Sequence, residues 1–180
     1  MDTFRVSYTF NKDNFIHVCF IRWEIHLKKC YKKSVISLSA SFIILLLGVL
    51  KRTEENSINL YLFLGIGLLI FNLFLFCYNL VLKPRYVREI KEIADKYNFI
   101  KMSYTYEFSE ESVKYWDKEK EMGFNWSAFT NYSTYKDHLI LFLNNSIFES
   151  YFFKKEETGI DEYNKLLEIV KSKLKYKEIK

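Results

Sequence analysis

Two long apolar runs separated by a short polar segment constrain this chain more than any other feature. Residues 34–50 and 58–82 contain no Asp, Glu, Lys or Arg, and only the seven residues 51–57 connect them. A helix rises about 1.5 Å per residue, so crossing a bilayer takes about 17 to 25 apolar residues. The sequence therefore predicts a transmembrane helical hairpin at 34–82, preceded by residues 1–33 and followed by a separate domain at 83–180.

Positive charge is concentrated beside these runs. Residues 1–33 carry seven Lys or Arg against three Asp or Glu, residues 83–180 carry 18 against 17, and the net charge is +5. Because cytoplasmic flanks of membrane helices are enriched in Lys and Arg, we expect two spans in the plasma membrane with both termini cytoplasmic. The near-neutral segment 83–180 argues against a nucleic-acid partner, and the basic flank favours anionic membrane lipid.

The first apolar run does not have the features of a cleavable signal peptide. It begins about 30 residues into the chain, and charged residues follow it without a small-x-small cleavage pattern. The three cysteines, Cys19, Cys30 and Cys77, are odd in number and fall on the cytoplasmic side or within lipid in this topology. All three are expected to be reduced, without a structural disulfide.

The N-terminal segment contains a strand followed by a helix. Phe4–Phe10 alternates large apolar and polar residues, which is typical of a half-buried strand. Its apolar face would be exposed if unpaired, so we expect it to join the C-terminal sheet as an edge strand. From Phe15 through Trp23 apolar residues repeat every four positions. This helix either lies at the membrane interface, with Trp23 at headgroup depth, or packs on the cytoplasmic domain.

Small and polar residues form one stripe along each apolar run. Their spacing of four or seven places each set on one helix face: Ser37, Ser41 and Gly48 in the first run, and Gly65, Asn72 and Asn79 in the second. Ser41 matches Gly65 in depth and Ser37 matches Asn72, which predicts close approach and an Asn–Ser hydrogen bond between the helices. Self-association into a homo-oligomer through the same face is an alternative. Transport is disfavoured, because neither run contains a charged residue.

Residues 83–180 predict an α+β domain. Lys83-Pro84 predicts the end of the second span, and a short helix follows. Alternating patterns from Met102 to Phe153, interrupted by turn sequences, predict a meander of antiparallel strands. Thr158, with Asp161 three residues later, is predicted to cap a final amphipathic helix that closes one end of the sheet.

The order of these parts resembles the YcxB-like family, in which two closely spaced membrane helices precede a bent antiparallel sheet and a last helix. The likeness covers nearly the whole chain, and the segments that carry it are Tyr104–Val113, Trp126–Phe129, Leu139–Phe142 and Phe152–Lys155. Phe153 stands where the family pattern has Pro. The resemblance implies a membrane α-helical hairpin plus a cytoplasmic half-barrel of the pleckstrin-homology type (PH-like), closed by a C-terminal helix, and it implies no reaction.

No catalytic, cofactor or metal site is predicted. His17 with Cys19, and His26 with Cys30, offer two metal ligands each, but nothing nearby in the sequence completes a tetrahedral set. His138 is expected to be a surface residue. Adjacent Glu pairs fall in turns, and the five glycines supply no phosphate-binding loop. The chain is therefore expected not to be an enzyme.

Two functions of different class are compatible with these features. The domain is rich in aromatic residues, and the candidates for an exposed binding face are Trp126, Tyr132, Tyr135, Tyr151 and Phe153. The first function is a membrane-held interaction module that binds a protein partner or a lipid headgroup. The alternative is an immunity or resistance protein against a membrane-acting bacterial toxin, which a neighbouring toxin gene would support.

Overall fold

The computed structural model of the chain describes residues 3–50 and 60–179. The chain divides into two compact units: Met1–Ile25 with Lys91–Lys180, which we call the sheet unit, and His26–Ile90, which we call the helical unit. The predicted loop at 51–57 and the first two residues of the second apolar run lie outside the described residues. The N-terminal segment therefore folds with the C-terminal half of the chain.

Two long helices contain the first apolar run and residues 60–82 of the second. Helix α1 spans Lys12–Leu50 and helix α2 spans Leu60–Phe99. Each contains a window of 18 residues with high mean hydropathy, 2.1 in α1 and 2.4 in α2. By length and composition, both helices are candidate membrane spans.

Both helices extend beyond the apolar runs. The predicted helix from Phe15 and the first run are continuous in α1. The predicted helix end at Lys83-Pro84 is wrong, because Pro84 lies inside α2. Proline removes one backbone hydrogen bond, and the helix-forming residues that follow, such as Arg85 and Arg88, favour continuation of the helix.

The first sheet of the sheet unit is antiparallel. Its strands are β1 (Phe4–Thr9), β2 (Ser103–Phe108), β3 (Ser112–Asp117) and β4 (Glu121–Asn125), in that spatial order. β1 pairs with β2 along its whole length, which confirms the predicted edge strand. Val6 and Tyr8 of β1 are buried, as the alternation of apolar and polar residues requires.

The second sheet is joined to the first by a single 3-10 turn, Trp126–Ala128. Its strands are β5 (Phe129–Tyr135), β6 (His138–Leu143) and β7 (Ser146–Lys154), again antiparallel and in that order. The two connecting loops, Lys136-Asp137 and Asn144-Asn145, have φ between 46° and 61° at all four residues. Paired positive φ values are typical of type I′ hairpins, and Asn and Asp tolerate them well. The predicted antiparallel α+β domain is confirmed at this level.

Two helices follow the sheets, α3 (Lys155–Thr158) and α4 (Ile160–Lys173). Tyr163, Leu166 and Val170 of α4 belong to the same hydrophobic core as buried residues of both sheets. After α4 the chain runs along the outer edge of β5, where the Tyr132 N–H donates to the Lys175 carbonyl oxygen at 3.0 Å. The C-terminal segment therefore covers one sheet edge.

The predicted cap of the last helix at Thr158 is wrong. Gly159 precedes α4, with a φ of 88° that glycine adopts at low cost. The Thr158 hydroxyl instead donates to the Lys154 carbonyl oxygen at 2.9 Å and contacts the Tyr8 hydroxyl at 2.7 Å. Since Thr158 is the last residue of α3, its hydroxyl is not positioned to start α4.

The first turns of α1 pack within the sheet unit. Val18, Cys19, Ile21 and Trp23 are buried, and only 8% of Trp23 is exposed. The Tyr135 hydroxyl donates to Glu24 Oε1 at 2.8 Å, on the hairpin between β5 and β6. Residues 12–25 therefore pack on the sheet unit, as the second of the two predicted alternatives expects, and Trp23 is buried there.

Candidate functional site

A cleft of about 410 Å³ lies within the sheet unit. The start of α1, the end of α2, and both sheets contribute to its walls, with Phe15, Tyr97, Met102, Tyr106 and Phe148 among the lining residues. This volume falls within the range of about 300–1,000 Å³ that is typical of small-ligand sites. The cleft is therefore the candidate binding site of the described residues.

A bulge in β7 brings part of its backbone to the cleft. Leu143 pairs with Ser146 and Leu141 with Tyr151, so β6 advances two residues while β7 advances five. Residues 147–150 accommodate the three extra positions, and the Ser150 hydroxyl donates to the Ser146 carbonyl oxygen at 2.6 Å. The lining consequently includes consecutive β7 residues, 148–152. Such bulges re-aim side chains and are over-represented beside active sites.

Tyrosines form much of one wall. The ring centroid of Tyr106 lies 5.2 Å from that of Tyr115 and 5.9 Å from that of Tyr104. Burial raises the pKa of all three phenols, and the Asp117 carboxylate, which accepts a hydrogen bond from the Tyr115 hydroxyl, raises the pKa of Tyr115 further. The tyrosines therefore form an uncharged aromatic wall of the cleft.

A second aromatic cluster, Phe10, Phe15 and Tyr97, lines the cleft where α1 begins and α2 ends. Its ring centroids lie 5.4 Å, 5.6 Å and 6.3 Å apart. An ion pair of 2.5 Å between Lys12 and Asp95 joins the same two helices. This cluster is therefore a fixed apolar wall.

Arg22 is a partly buried cation of the cleft. Its Nη2 donates to the Ser150 carbonyl oxygen at 2.6 Å, and its Cζ lies 5.0 Å from the centroid of the Phe152 ring. Its Nε is buried without a hydrogen-bond partner, and no carboxylate in the described part of the chain forms an ion pair with it. A partly buried cation without a counter-charge favours an anion beside it.

Two further charged side chains line the cleft, and both are exposed. Lys120 Nζ lies 5.6 Å from the centroid of the Tyr115 ring, and Glu149 belongs to the bulge of β7. Arg22, Lys120 and Glu149 together give the lining a net positive charge. An anionic group is therefore better accommodated than a cationic one.

Asn14 adds a polar group on the α1 wall. Its Nδ2 donates to Glu157 Oε2 at 2.6 Å, while its Oδ1 is buried without a partner in the described residues. Burial raises the pKa of Glu157, against the opposing effects of Lys154 and of the hydrogen bond from Asn14. The side-chain amide of Asn14 is thus only partly satisfied.

Four of the five aromatic residues predicted as an exposed binding face lie outside the cleft. Trp126, Tyr132 and Phe153 are buried in the core, so the expectation of exposure is wrong for them. Tyr135 is partly buried and bonded to Glu24. Tyr151 lines the cleft. The buried residues fill the space between two sheets and α4, which explains the abundance of aromatic residues without a surface role.

In the helical unit, several stripe residues meet at the contact between α1 and α2. Asn72 Nδ2 donates to Ser37 Oγ at 3.0 Å and to the carbonyl oxygen of Leu68 in its own helix at 2.8 Å. Ser41 is fully buried. Asn79 donates within α2, to the Leu75 carbonyl oxygen at 2.8 Å.

The two glycines of the stripe lie against leucines of the opposite helix. A Cβ at Gly48 would lie 2.8 Å from the backbone nitrogen of Leu62, and a Cβ at Gly65 would lie 2.6 Å from Leu45 Cγ. The predicted match of Gly65 with Ser41 is therefore displaced by one turn of α1, because Leu45 fills the space beside Gly65.

One of the three histidines, His138, differs from its predicted setting. His138 is 1% exposed, so the expectation of a surface position is wrong; its ring centroid lies 5.8 Å from that of His17. His138 Nδ1 lies 2.6 Å from the Lys136 carbonyl oxygen, and burial lowers its pKa. His26 Nε2 lies 3.4 Å from Cys30 Sγ. Within the described ranges, no group of three or more His, Cys, Asp or Glu is placed to hold a metal ion.

Sequence reasoning missed the cleft and its cation. From the sequence, Arg22 is interpreted as one of several cations that flank the membrane, whereas in the structure it lines the cleft and binds the Ser150 carbonyl oxygen. One local signal existed: Asn14, Val18 and Arg22 follow each other at intervals of four, which places them on one face of a helix. Nothing local indicated that β7 and the end of α2 would complete the site.

Comparison with known proteins adds no family assignment: no family model, curated protein or solved structure matches this chain.

Proposed function

We propose that this chain is a two-span protein of the plasma membrane, with both termini cytoplasmic, and that its sheet unit is a PH-like interaction module without catalytic activity. The module binds its partner, a protein or a lipid headgroup, in the cleft that Arg22 lines. Membership of the YcxB-like family is part of the same proposal.

The observation that carries the proposed topology is the pairing of β1 with β2. β1 precedes α1 and β2 follows α2, yet the two strands pair over six residues. If both helices cross a membrane, the chain returns to the side where it began, so the two strands can meet. A single crossing would leave them on opposite sides. The concentration of Lys and Arg beside the spans then favours the cytoplasmic side.

The composition of the cleft supports binding over proton-transfer chemistry. Its tyrosines are uncharged at neutral pH, as ordinary phenols are, and burial disfavours their ionised form further. Arg22 is a permanent cation and accepts no hydrogen bond. These groups offer apolar contacts, hydroxyl groups and a positive charge, which are the means of holding a partner.

Topology is tested by reporter fusions at each terminus, combined with extraction of membranes at alkaline pH. We expect the protein to stay with the membrane fraction and both reporters to be cytoplasmic. A protein released by alkali would contradict the membrane assignment. A reporter on the outer side would contradict the orientation.

Binding in the cleft is tested by cross-linking in membranes, followed by purification and mass spectrometry of the recovered proteins and lipids. Phe148→Glu places a carboxylate at the cleft, and Phe99→Glu is the matched control, since Phe99 is 89% exposed and lies outside it. We expect the wild type and Phe99→Glu to recover the same partner and Phe148→Glu to lose it. Equal recovery by all three proteins would place the binding site elsewhere.

A further inference from the structure

We propose that the cleft binds a single-chain anionic amphiphile, whose carboxylate or phosphate lies at Arg22 and whose chain lies against Phe10, Phe15 and Tyr97. This inference rests on the proposed function and deepens it, because it names the ligand class of the same site.

Arg22 defines the end of the cleft that receives the charged group. Its guanidinium donates one hydrogen bond, to the Ser150 carbonyl oxygen, and lies over the Phe152 ring. Its Nε has no hydrogen-bond partner in the described part of the chain. A carboxylate or phosphate beside the guanidinium supplies the missing counter-charge. Lys120 contributes a second, exposed cation to the lining.

The α1 wall gives the cleft a polar end and an apolar end. Phe15 and Arg22 both line it and are seven residues apart on one helix, which corresponds to about 10 Å along the helix axis. Val18 lies between them on the same wall and is buried. A ligand that satisfies both ends therefore has an anionic group and an apolar chain that extends from it.

The size of the cleft favours one chain. Its volume of about 410 Å³ is near the lower end of the range of small-ligand sites, about 300–1,000 Å³. The rings of Phe10, Phe15 and Tyr97 are packed against each other and form one wall of this space.

An extended peptide fits this cleft less well than an amphiphile. A peptide that adds to a sheet edge needs a regular row of free backbone groups. The bulge at 147–150 interrupts that row on β7, and Arg22 already occupies the Ser150 carbonyl oxygen. The structure thus disfavours strand addition at the edge that faces the cleft.

The inference is tested with the full chain in lipid nanodiscs and a photoreactive probe, dodecanoic acid that carries a diazirine on its chain. Labelled peptides are mapped by mass spectrometry, and the corresponding diazirine alcohol serves as the uncharged comparison. We expect the acid to label peptides that contain Phe15, Tyr97 or Met102 about tenfold more than the alcohol does, since a charge-assisted hydrogen bond contributes about that factor. Unlabelled dodecanoate or dodecyl phosphate should compete, and the stronger competitor identifies the headgroup.

Three variants separate the charge from the fold. Arg22→Gln should reduce labelling of the cleft by the acid to the level of the alcohol, and Arg22→Lys should retain part of it. Lys91→Gln is the matched control, because Lys91 is exposed and outside the cleft. The melting temperature of each variant shows whether the fold persists. If Arg22→Gln does not fold, the difference in labelling between acid and alcohol on the wild type still tests whether the cleft prefers an anionic ligand.

Three outcomes would overturn the inference. They are equal labelling by the acid and the alcohol, labelling confined to the apolar segments of α1 and α2, and a lack of competition by either unlabelled amphiphile. A protein cross-linked at the cleft, without labelling by the acid, would also overturn it and would leave the proposed interaction module standing. If the protein stays in the membrane but no partner depends on the cleft, both this inference and the proposed interaction module are contradicted.

Discussion

The two units of this chain bury opposite kinds of side chain. In the sheet unit, Phe108 and Phe153 are 1% exposed and Leu139 is fully buried. In the helical unit, large apolar residues such as Phe74 are mostly exposed, whereas Ser41 is fully buried. The same residue types therefore occupy the interior of one unit and the surface of the other.

This inversion is expected if the two units face different solvents. In water, burial of apolar area drives folding, so aromatic and aliphatic residues occupy the core. Helices in a bilayer associate through close packing and polar bonds, because hydrocarbon is as apolar as Leu. Here Gly48 allows close packing, and Asn72 forms a hydrogen bond between the helices. The helical unit thus has the burial pattern of a pair of helices solvated by lipid.

The largest expected effect tests the aqueous core. Phe153→Ala should destabilise the sheet unit by about 3–5 kcal/mol, because it leaves a cavity among Tyr106, Phe108 and their neighbours. Phe74→Ala, at an exposed position of the helical unit, should change the unfolding free energy little. Denaturation of the purified protein in nanodiscs, followed by circular dichroism of the sheet, provides the measurement. Similar losses from both substitutions would remove the distinction between the units.

A second test concerns close approach of the helices. Gly48→Ala should cost about 1–3 kcal/mol, since its Cβ would lie 2.8 Å from the backbone nitrogen of Leu62, which cannot turn away. Gly67→Ala is the matched control, because no atom lies within 4 Å of its Cβ, and it should be neutral or slightly stabilising. The separation of the helices can be followed by cysteine cross-linking. Equal changes in stability from Gly48→Ala and Gly67→Ala would show that the helices do not pack at Gly48.

The polar bond between the helices should have a smaller effect. Asn72→Leu removes the hydrogen bond to Ser37 and should weaken helix association by about 0.5–2 kcal/mol. Phe74→Leu, two residues away and exposed, should have little effect. Unfolding of the helical unit in mixed detergent micelles measures both variants. If the two losses are equal, the Asn–Ser bond has no special role.

The smallest expected effect is a pH dependence of the sheet unit that arises from His138. Burial lowers the pKa of His138, with His17 and Lys154 adding to this and the Lys136 carbonyl and Asp137 opposing it. Its folded-state pKa is below the unfolded value of about 6.5, so the unfolded state binds the proton first and stability is lost as pH falls below that value. His138→Gln should flatten this part of the stability profile. A wild-type profile that is already flat between neutral pH and pH about 5 would contradict the prediction.

The helical hairpin and the strand periodicity were readable from the sequence because both depend on local spacing. Apolar runs of sufficient length predicted two spans, and both described helices contain them. The alternation in Phe4–Phe10 predicted an edge strand, and β1 pairs with β2 as expected. The bond between Asn72 and Ser37 also follows from equal depth in two antiparallel helices.

Predictions that depended on surroundings were less accurate. Trp23 and Trp126 resembled membrane or binding residues in sequence, yet both are buried in the sheet unit. Pro84 indicated a helix end, but α2 continues through it. An aromatic or proline residue has the same local signal in each setting, and only its neighbours in space decide between them.

The sequence by itself determined the length and polarity of the apolar runs, the alternation of the strands and the side of each helix that carries small residues. Tertiary structure decided the candidate site: the place of Arg22, the bulge at 147–150 and the cleft that they line. Arg22 and Ser150 are 128 positions apart, yet they are joined by a hydrogen bond. Periodicity indicates which face of an element is apolar. It does not indicate which distant element covers that face, because that choice depends on the packing of the whole unit.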